Sequence, residues 1–301
     1  MGVRSNDHSL VAGKQYFADE VQVESDLYVN GTQRNTNNRA TDRWFLEEYF
    51  NQKPGVNADI ADTDTEASYV IANKNFEVLG TGASSDDVTF AGTAGTGIKV
   101  ETDGSDEDQV IILPHLDSNQ TAWTATTFNT EDELEWNTAI TTGTAITNVK
   151  IWAGLKLTND QLIATDNDQA YFYFATDADN GQALTTFANL HFVYSIGGTD
   201  YITDLGITFA ALTTYRLRIS IDSNRQVSVF VNDVQYGLAQ TAGSTGGTTG
   251  GGAGGTGQSL ALSDNVALIP YVGIEAGAAE AKHMYLHYET ISRNLIDPNL
   301  T

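Results

Sequence analysis

The chain contains no cysteine in 301 residues, which excludes disulfides, thiolate metal sites and a cysteine nucleophile together. Stability must then come from core area or from assembly. Basic residues are also scarce. Fifteen Lys and Arg stand against 39 Asp and Glu, a net charge of -24. Such a field repels phosphate backbones and anionic lipid, so nucleic acid and membrane surfaces are not expected partners. No apolar run approaches the roughly 18 residues of a membrane span. MGVRSNDHSL lacks the apolar centre of a signal peptide and, with Asn6, misses the myristoylation pattern. Together these features predict a soluble product made in a cytoplasm. There is no serine elbow, P-loop or dinucleotide fingerprint; GTAGTG, Gly92 to Gly97, has the wrong spacing and follows no βα unit.

What is present is uneven. Residues 1–53 hold 6 basic and 8 acidic residues, leaving 9 and 31 for the remainder. Only this N-terminal segment could lie against another acidic body without large repulsion. Within it, YFADEVQVESDLYVNGTQ reads as two short strands with a tight turn at Asn30-Gly31. Two strands alone are marginal, so Tyr16, Phe17, Val21, Val23, Leu27 and Val29 are expected to pair with other chains. TDRWFLEEYFNQKPG reads as one short helix over about 42–51, capped by Thr41 or Asp42 and stopped by Pro54-Gly55. Trp44, Phe45, Leu46, Tyr49 and Phe50 would spread apolar surface around most of it. Two readings stay open: the segment is buried between partner chains, or it plugs one edge of the following domain. Residues 1–62 are thus expected to form an arm for anchoring and oligomerisation, and 63–301 a sandwich.

From residue 67 onward, short alternating segments follow one another with Gly, Asn, Asp and Thr turns, and helical periodicity is absent. The clearest is YRLRISIDSNRQVSVFVNDVQYGL, Tyr215 to Leu238. Tyr215, Leu217, Ile219 and Ile221 share one face and Arg216 and Arg218 the other; Val227, Val229 and Val231 repeat the pattern after Asp222-Ser-Asn-Arg225. That is an antiparallel hairpin. Many such strands at this spacing predict an all-β, antiparallel sandwich or barrel. TAGSTGGTTGGGAGGTGQ, residues 241–258, is a low-complexity Gly-rich insert.

Few residues suggest chemistry. Glu131, Glu133 and Glu135 would fall on one strand face, neighbours roughly 6.5 Å apart, the kind of carboxylate set a glycosidase uses. In a chain with 39 acidic residues a solvated strand edge explains them better, and no catalytic residue is assigned. Asp103 to Asp108 and Asp177 to Gly181 resemble fragments of calcium loops, but position twelve from Asp177 is Ala188 rather than Glu. No cofactor or metal ligand is assigned; calcium stays open. His283 and His287 sit about 13 Å apart on a strand, too far to share a metal. His115 and His191 are isolated. Arg216 and Arg218 could meet a sugar or carboxylate, although cross-strand acids explain them as well. Trp123, Trp136, Trp152, Tyr171 and Tyr173 are either a glycan-binding face or core.

The hairpin, followed by LIPYVGIEAG and HMYLHYETISR, resembles the C-terminal half of concanavalin A-like lectin/glucanase jelly rolls. FEVLGTGASSDDVTFAGTAGTGIKVETDGSDEDQVIILPH, with AWTATTFNTEDELEWNTAI and IWAGLKLT, is similar to the version of that domain in structural proteins of tailed, often marine, bacteriophages. The likeness covers about residues 67–293. Glucanases of that superfamily carry a Glu-x-Asp-x-Glu type motif, whose central position here is Glu133, and the lectin metal loop is not found, so the resemblance does not imply hydrolysis. EVQVESDLYVNGTQ is similar to short units by which phage fibre and decoration proteins trimerise or attach. The resemblance implies a virion structural protein at the particle surface, a capsid decoration or short head-fibre protein, homotrimeric and not an enzyme. The alternative is a carbohydrate-binding host-attachment module that binds a surface glycan.

Overall fold

The computed structural model describes residues 43–56, 73–114, 128–176, 184, 186–242 and 257–294, and the backbone of four short strands before them. The chain divides into two compact units, Met1–Thr41 and Asp42–Thr301. In the first, β1 (His8–Val11) pairs β2 (Lys14–Phe17), and β3 (Leu27–Val29) pairs β4 (Thr32–Arg34), both antiparallel. Val29 pairs with Thr32, and the expected turn residues Asn30-Gly31 lie outside the described residues. Tyr16, Phe17, Leu27 and Val29 lie in these strands; Val21 and Val23 lie outside the described residues.

The second unit is a jelly-roll sandwich of two antiparallel-dominated sheets. Its strands are β5 (Arg43–Glu48), β6 (Pro54–Val56), β7 (Asn73–Leu79), β8 (Val88–Phe90), β9 (Ile98–Glu101), β10 (Gln109–Pro114), β11 (Glu135–Thr142), β12 (Val149–Lys156), β13 (Gln169–Ala175), β14 (Asn189–Ile196), β15 (Thr199–Thr208), β16 (Thr214–Ile221), β17 (Val227–Val231), β18 (Val234–Tyr236), β19 (Ile269–Ala276) and β20 (His283–Asn294). The first sheet runs β15-β14-β13-β12-β19-β10-β7-β6, with β6 parallel to β7. The second runs β18-β17-β16-β11-β20-β9-β8, and β5 pairs β20 as well.

The residues alternate as strands require. Phe172, Phe174, Phe192 and Val272 from the first sheet and Tyr215, Leu217, Ile219, Val229 and Met284 from the second meet in one core between the layers. The 215–231 hairpin is therefore a wall of the sandwich, apolar face inward. Its first turn is an Asx turn: Asp222 Oδ1 accepts from the backbone N–H of Asn224 and Gln226, both at 2.9 Å. Its second, Asn232-Asp233, has both residues at positive φ, 50° and 67°, the backbone of a two-residue hairpin.

The expected helix at 42–51 is replaced by strand β5, which runs antiparallel to the last six residues of β20. β20 is twelve residues long, and β9 covers only His283–Leu286 on that side. The remaining backbone groups need partners, and β5 supplies them. A ladder plus core contacts outweighs helix propensity, which is a small term per residue. Trp44 and Leu46 pack against the core, Trp44 with Phe128 at 5.7 Å between ring centroids, and Phe50 is fully buried beside Phe76. The apolar run thus plugs the sandwich. Phe50 has no surface to offer a partner chain, and the expected boundary near residue 62 lies beyond β5 and β6, which belong with the sandwich.

Candidate functional site

Three places gather the polar and aromatic side chains singled out above. The first is the outer face of the first sheet, away from the core. Cross-strand register sets Trp152 beside Gly273 and Tyr173, Tyr173 beside His191, and His191 beside Asp204. Tyr171 lies in the adjoining row, opposite Gly154 and Val193. A Cβ at Gly273 would come within 2.3 Å of the Trp152 indole, so glycine there lets the ring lie flat on the sheet. This face is covered. The loop between β12 and β13 folds over it, with Ile163 joining the cluster of Trp152, Tyr171 and Tyr173, and Gln161 Oε1 accepting from the Tyr173 hydroxyl at 3.0 Å.

Trp152, Tyr171, Tyr173 and His191 are fully buried, so of the two readings left open for Trp152, Tyr171 and Tyr173 the structure shows core, not an exposed aromatic platform. Sequence alone could not show the loop above them. Among the described residues, Trp152 Nε1 and the Tyr171 hydroxyl have no hydrogen-bond partner. Buried groups in that state each cost about 1–3 kcal/mol. Burial pushes the Tyr171 pKa well up and that of His191 down, the latter opposed by Asp204, whose carboxylate is held by the Asn189 amide at 3.0 and 3.1 Å.

The same face carries two buried lysines. Lys150 Nζ pairs with Glu275, which also accepts from Gln109 Nε2. Lys156 Nζ lies 3.1 Å from Asp166 Oδ2 and 4.2 Å from the Tyr171 ring centroid. These contacts hold charge in an apolar setting by pairing it.

The outer face of the second sheet carries the predicted arginines. Arg216 reaches Asp233 at 3.3 Å with both side chains about half exposed, and Arg218 stacks 3.6 Å over Phe230. Each is satisfied locally: one by an acid, one by an aromatic face. Trp136, expected beside them, points the other way. It is fully buried and donates Nε1–H to Glu289 Oε1 at 2.8 Å, so it is core rather than ligand face. Trp123 and His115 lie outside the described residues. Tyr49 is 45% exposed and lies 6.3 Å from Tyr288 between ring centroids, while Phe45 is half-buried.

The third place is the turn before β11. Glu131, Glu133 and Glu135 do not share a strand face. Glu133 has φ 49°, the strand begins at Glu135, and Glu131 is buried, accepting from the Asn265 N–H. Arg43 donates to the Glu133 carbonyl at 2.7 Å, and Arg293 pairs with Asp132 at 3.0 Å. The segment is a knot tying β5, β11 and β20, and the left-handed residue was invisible to alternation. In the other acidic loop, the Asp103 N–H is capped by Asp108 at 2.5 Å, and burial raises the pKa of Asp108. Asp177 to Gly181 lies outside the described residues. Among the described residues no three His, Asp or Glu side chains are grouped to hold a metal. His283 faces Glu101 at 3.8 Å, whereas His287 bridges Thr141 Oγ1 and the Thr96 carbonyl, both at 2.7 Å.

No protein-family model and no curated protein matches the sequence. Similar solved structures include a protein of unknown function from Shewanella oneidensis MR-1, at 11% identity and TM-score 0.47, covering 85% of this chain and 88% of that one. The carbohydrate recognition domain of Emp47p is similar at 10% identity and TM-score 0.46, over 85% and 97%. A glycoside hydrolase family 16 endo-glucanase from Bacteroides ovatus is similar at 7% identity and TM-score 0.46, over 82% and 99%. Lectin-type and hydrolase structures thus both occur among the neighbours.

Proposed function

We propose that the protein is a non-enzymatic structural component of a virion: its N-terminal unit joins a larger assembly and its acidic sandwich faces outward. The observation that carries this reading is the division of the chain at Thr41 and Asp42. The smaller unit holds two separate two-stranded sheets, each too small to be stable without further contacts. It also holds 4 basic and 5 acidic residues, against 11 and 34 in the rest of the chain. It can therefore approach a neighbour that the sandwich would repel. Open strand edges on both hairpins fit pairing with further copies, and a homotrimer is the state expected. A tailed-phage particle, with the chain as capsid decoration or short head fibre, is the setting the sequence resemblance supports. Glu131 accepts from the Asn265 N–H, and Glu133 in its left-handed backbone shares no strand face with Glu135, which supports a role without hydrolysis. The test compares the full chain with residues 42–301 by light scattering and by incorporation into particles. The full chain should be trimeric and incorporated, the shorter one folded, monomeric and excluded. A monomeric full chain, or incorporation of the truncated one, overturns the reading.

One observation favours a second reading, a carbohydrate-binding attachment module: among the described residues, the donors of Trp152 and Tyr171 on one sheet face have no partner. Sugar hydroxyls would satisfy them if the covering loop opened. Glycan-array binding by the full chain, lost in Tyr171→Phe and Trp152→Phe, supports it; an array without signal removes it.

A further inference from the structure

Lys156 ends β12 with its side chain fully buried, opposite Gln169 at the start of β13. Lys156 Nζ lies 2.5 Å from Gln169 Oε1 and 3.1 Å from Asp166 Oδ2. The far side of the amide is pinned: Gln169 Nε2 donates to the Ile163 carbonyl at 2.7 Å and to Ser195 Oγ at 2.8 Å, and the Ser195 hydroxyl donates to Asp200 at 2.6 Å. Asp166 is pinned too, its Oδ1 accepting from the Thr158 hydroxyl at 2.8 Å and its Oδ2 from the Thr158 N–H at 3.2 Å. A carboxamide and a carboxylate are thus both held against the amine, and all three residues are buried.

We propose that this trio closes an intramolecular isopeptide bond, joining Lys156 Nζ to Cδ of Gln169 with Asp166 as proton carrier. Lys156 passes a proton to the Asp166 carboxylate, and the freed lone pair attacks Cδ. The C–N bond to Nε2 then breaks. The two protons that Nζ sheds leave with that nitrogen as ammonium, relayed by Asp166, whose carboxylate is restored. One C–N bond forms, one breaks, and no electrons are gained or lost. Holding the partners in contact replaces the improbable encounter of an amine with an unactivated amide. Burial lowers the proton affinity of Lys156, with Asp166 opposing it, which eases transfer of its proton.

The other well-held lysines lack one part of the set. Lys150 pairs with the carboxylate of Glu275, and the nearby Gln109 carboxamide turns its Nε2 to that carboxylate rather than its oxygen to the amine, while Lys282 meets Glu280, which is 55% exposed. The bond would close the 157–168 loop into a ring across the outer face of the first sheet. That is a covalent brace independent of the assembly reading, though of use to a body displayed under mechanical load.

The test is tryptic mass mapping of the purified full chain after denaturation. Trypsin has sites at Lys150, Lys156 and Arg216 and none between the last two. A closed bond blocks cleavage at Lys156, so Ile151 to Arg216 should appear as one species lighter by one ammonia, with fragment ions placing the link at Lys156 and Gln169. Release of Ile151 to Lys156 at its unmodified mass overturns the proposal. A species lighter by one water instead overturns the choice of Gln169, since it marks an amide to Asp166. Asp166→Asn, checked for native circular dichroism, should release the free peptide; full linkage in that variant overturns the role of Asp166. The wild-type map decides the bond even if the variant does not fold.

Discussion

Glu289 is a carboxyl in the core, where a charge is costly. Its Oε1 accepts from Trp136 and its Oε2 has no partner. Burial raises its pKa to about 8, against a smaller lowering by the Trp136 hydrogen bond, and Glu48 raises it further. The folded chain therefore keeps this proton after the unfolded chain, titrating near 4.5, has released it. Stability should fall as pH rises from about 4.5 to about 8 and level off above, because each pH unit over which only the folded chain holds the proton costs about 1.4 kcal/mol. Glu289→Gln keeps the acceptor for Trp136 and removes the titration. Urea melts at pH 5 and pH 9 should show the variant more stable than wild type at pH 9 by several kcal/mol, with a smaller difference at pH 5. An identical pH dependence in the two chains rules the argument out. None of this was legible in the sequence, since alternation places Trp136 and Glu289 on a face without saying which side the core takes, and a core glutamate runs against every compositional expectation.

At the scale of elements, strands with clean alternation and turn chemistry were readable. The 215–231 hairpin falls where the pattern put it, with its apolar face to the core. β15 was not readable: TDYITDLGIT is interrupted by Asp and Gly, and it forms a strand because β14 turns into it at Gly197-Gly198. β5 was misread because tryptophan, phenylalanine, leucine and glutamate suit either period, and what decided between them, the uncovered half of β20, lies far along the chain, 251 residues separating Arg43 from Asn294. The consequence is testable. Trp44 fills the space over Phe128, so Trp44→Ala should cost about 2–3 kcal/mol, less than a fully buried tryptophan. Hydrogen exchange should localise the loss: amides of Glu289–Asn294 and Arg43–Glu48 should exchange faster, while those of His283–Leu286, paired with β9, stay protected. Uniform loosening along β20 would mean that β5 is not an independent brace.

For the whole molecule the governing quantity is charge. With -24 on each chain, bringing copies together works against long-range repulsion; in the assembly proposed above, short-range contact in the N-terminal unit, where the charge is nearly balanced, has to outweigh it. Salt then separates two kinds of anchor. Raising ionic strength from about 0.01 M to 0.15 M shortens the Debye length from about 30 to about 8 Å, which screens repulsion between acidic bodies while leaving strand pairing and apolar contact in place. Self-association of the full chain should therefore tighten as salt rises, and residues 42–301 should stay monomeric throughout. Sedimentation equilibrium across that range measures both. Association that weakens with salt would mean that complementary charges drive it, and the four basic residues before Thr41, not the hairpin backbones, would then be the place to look for the contact.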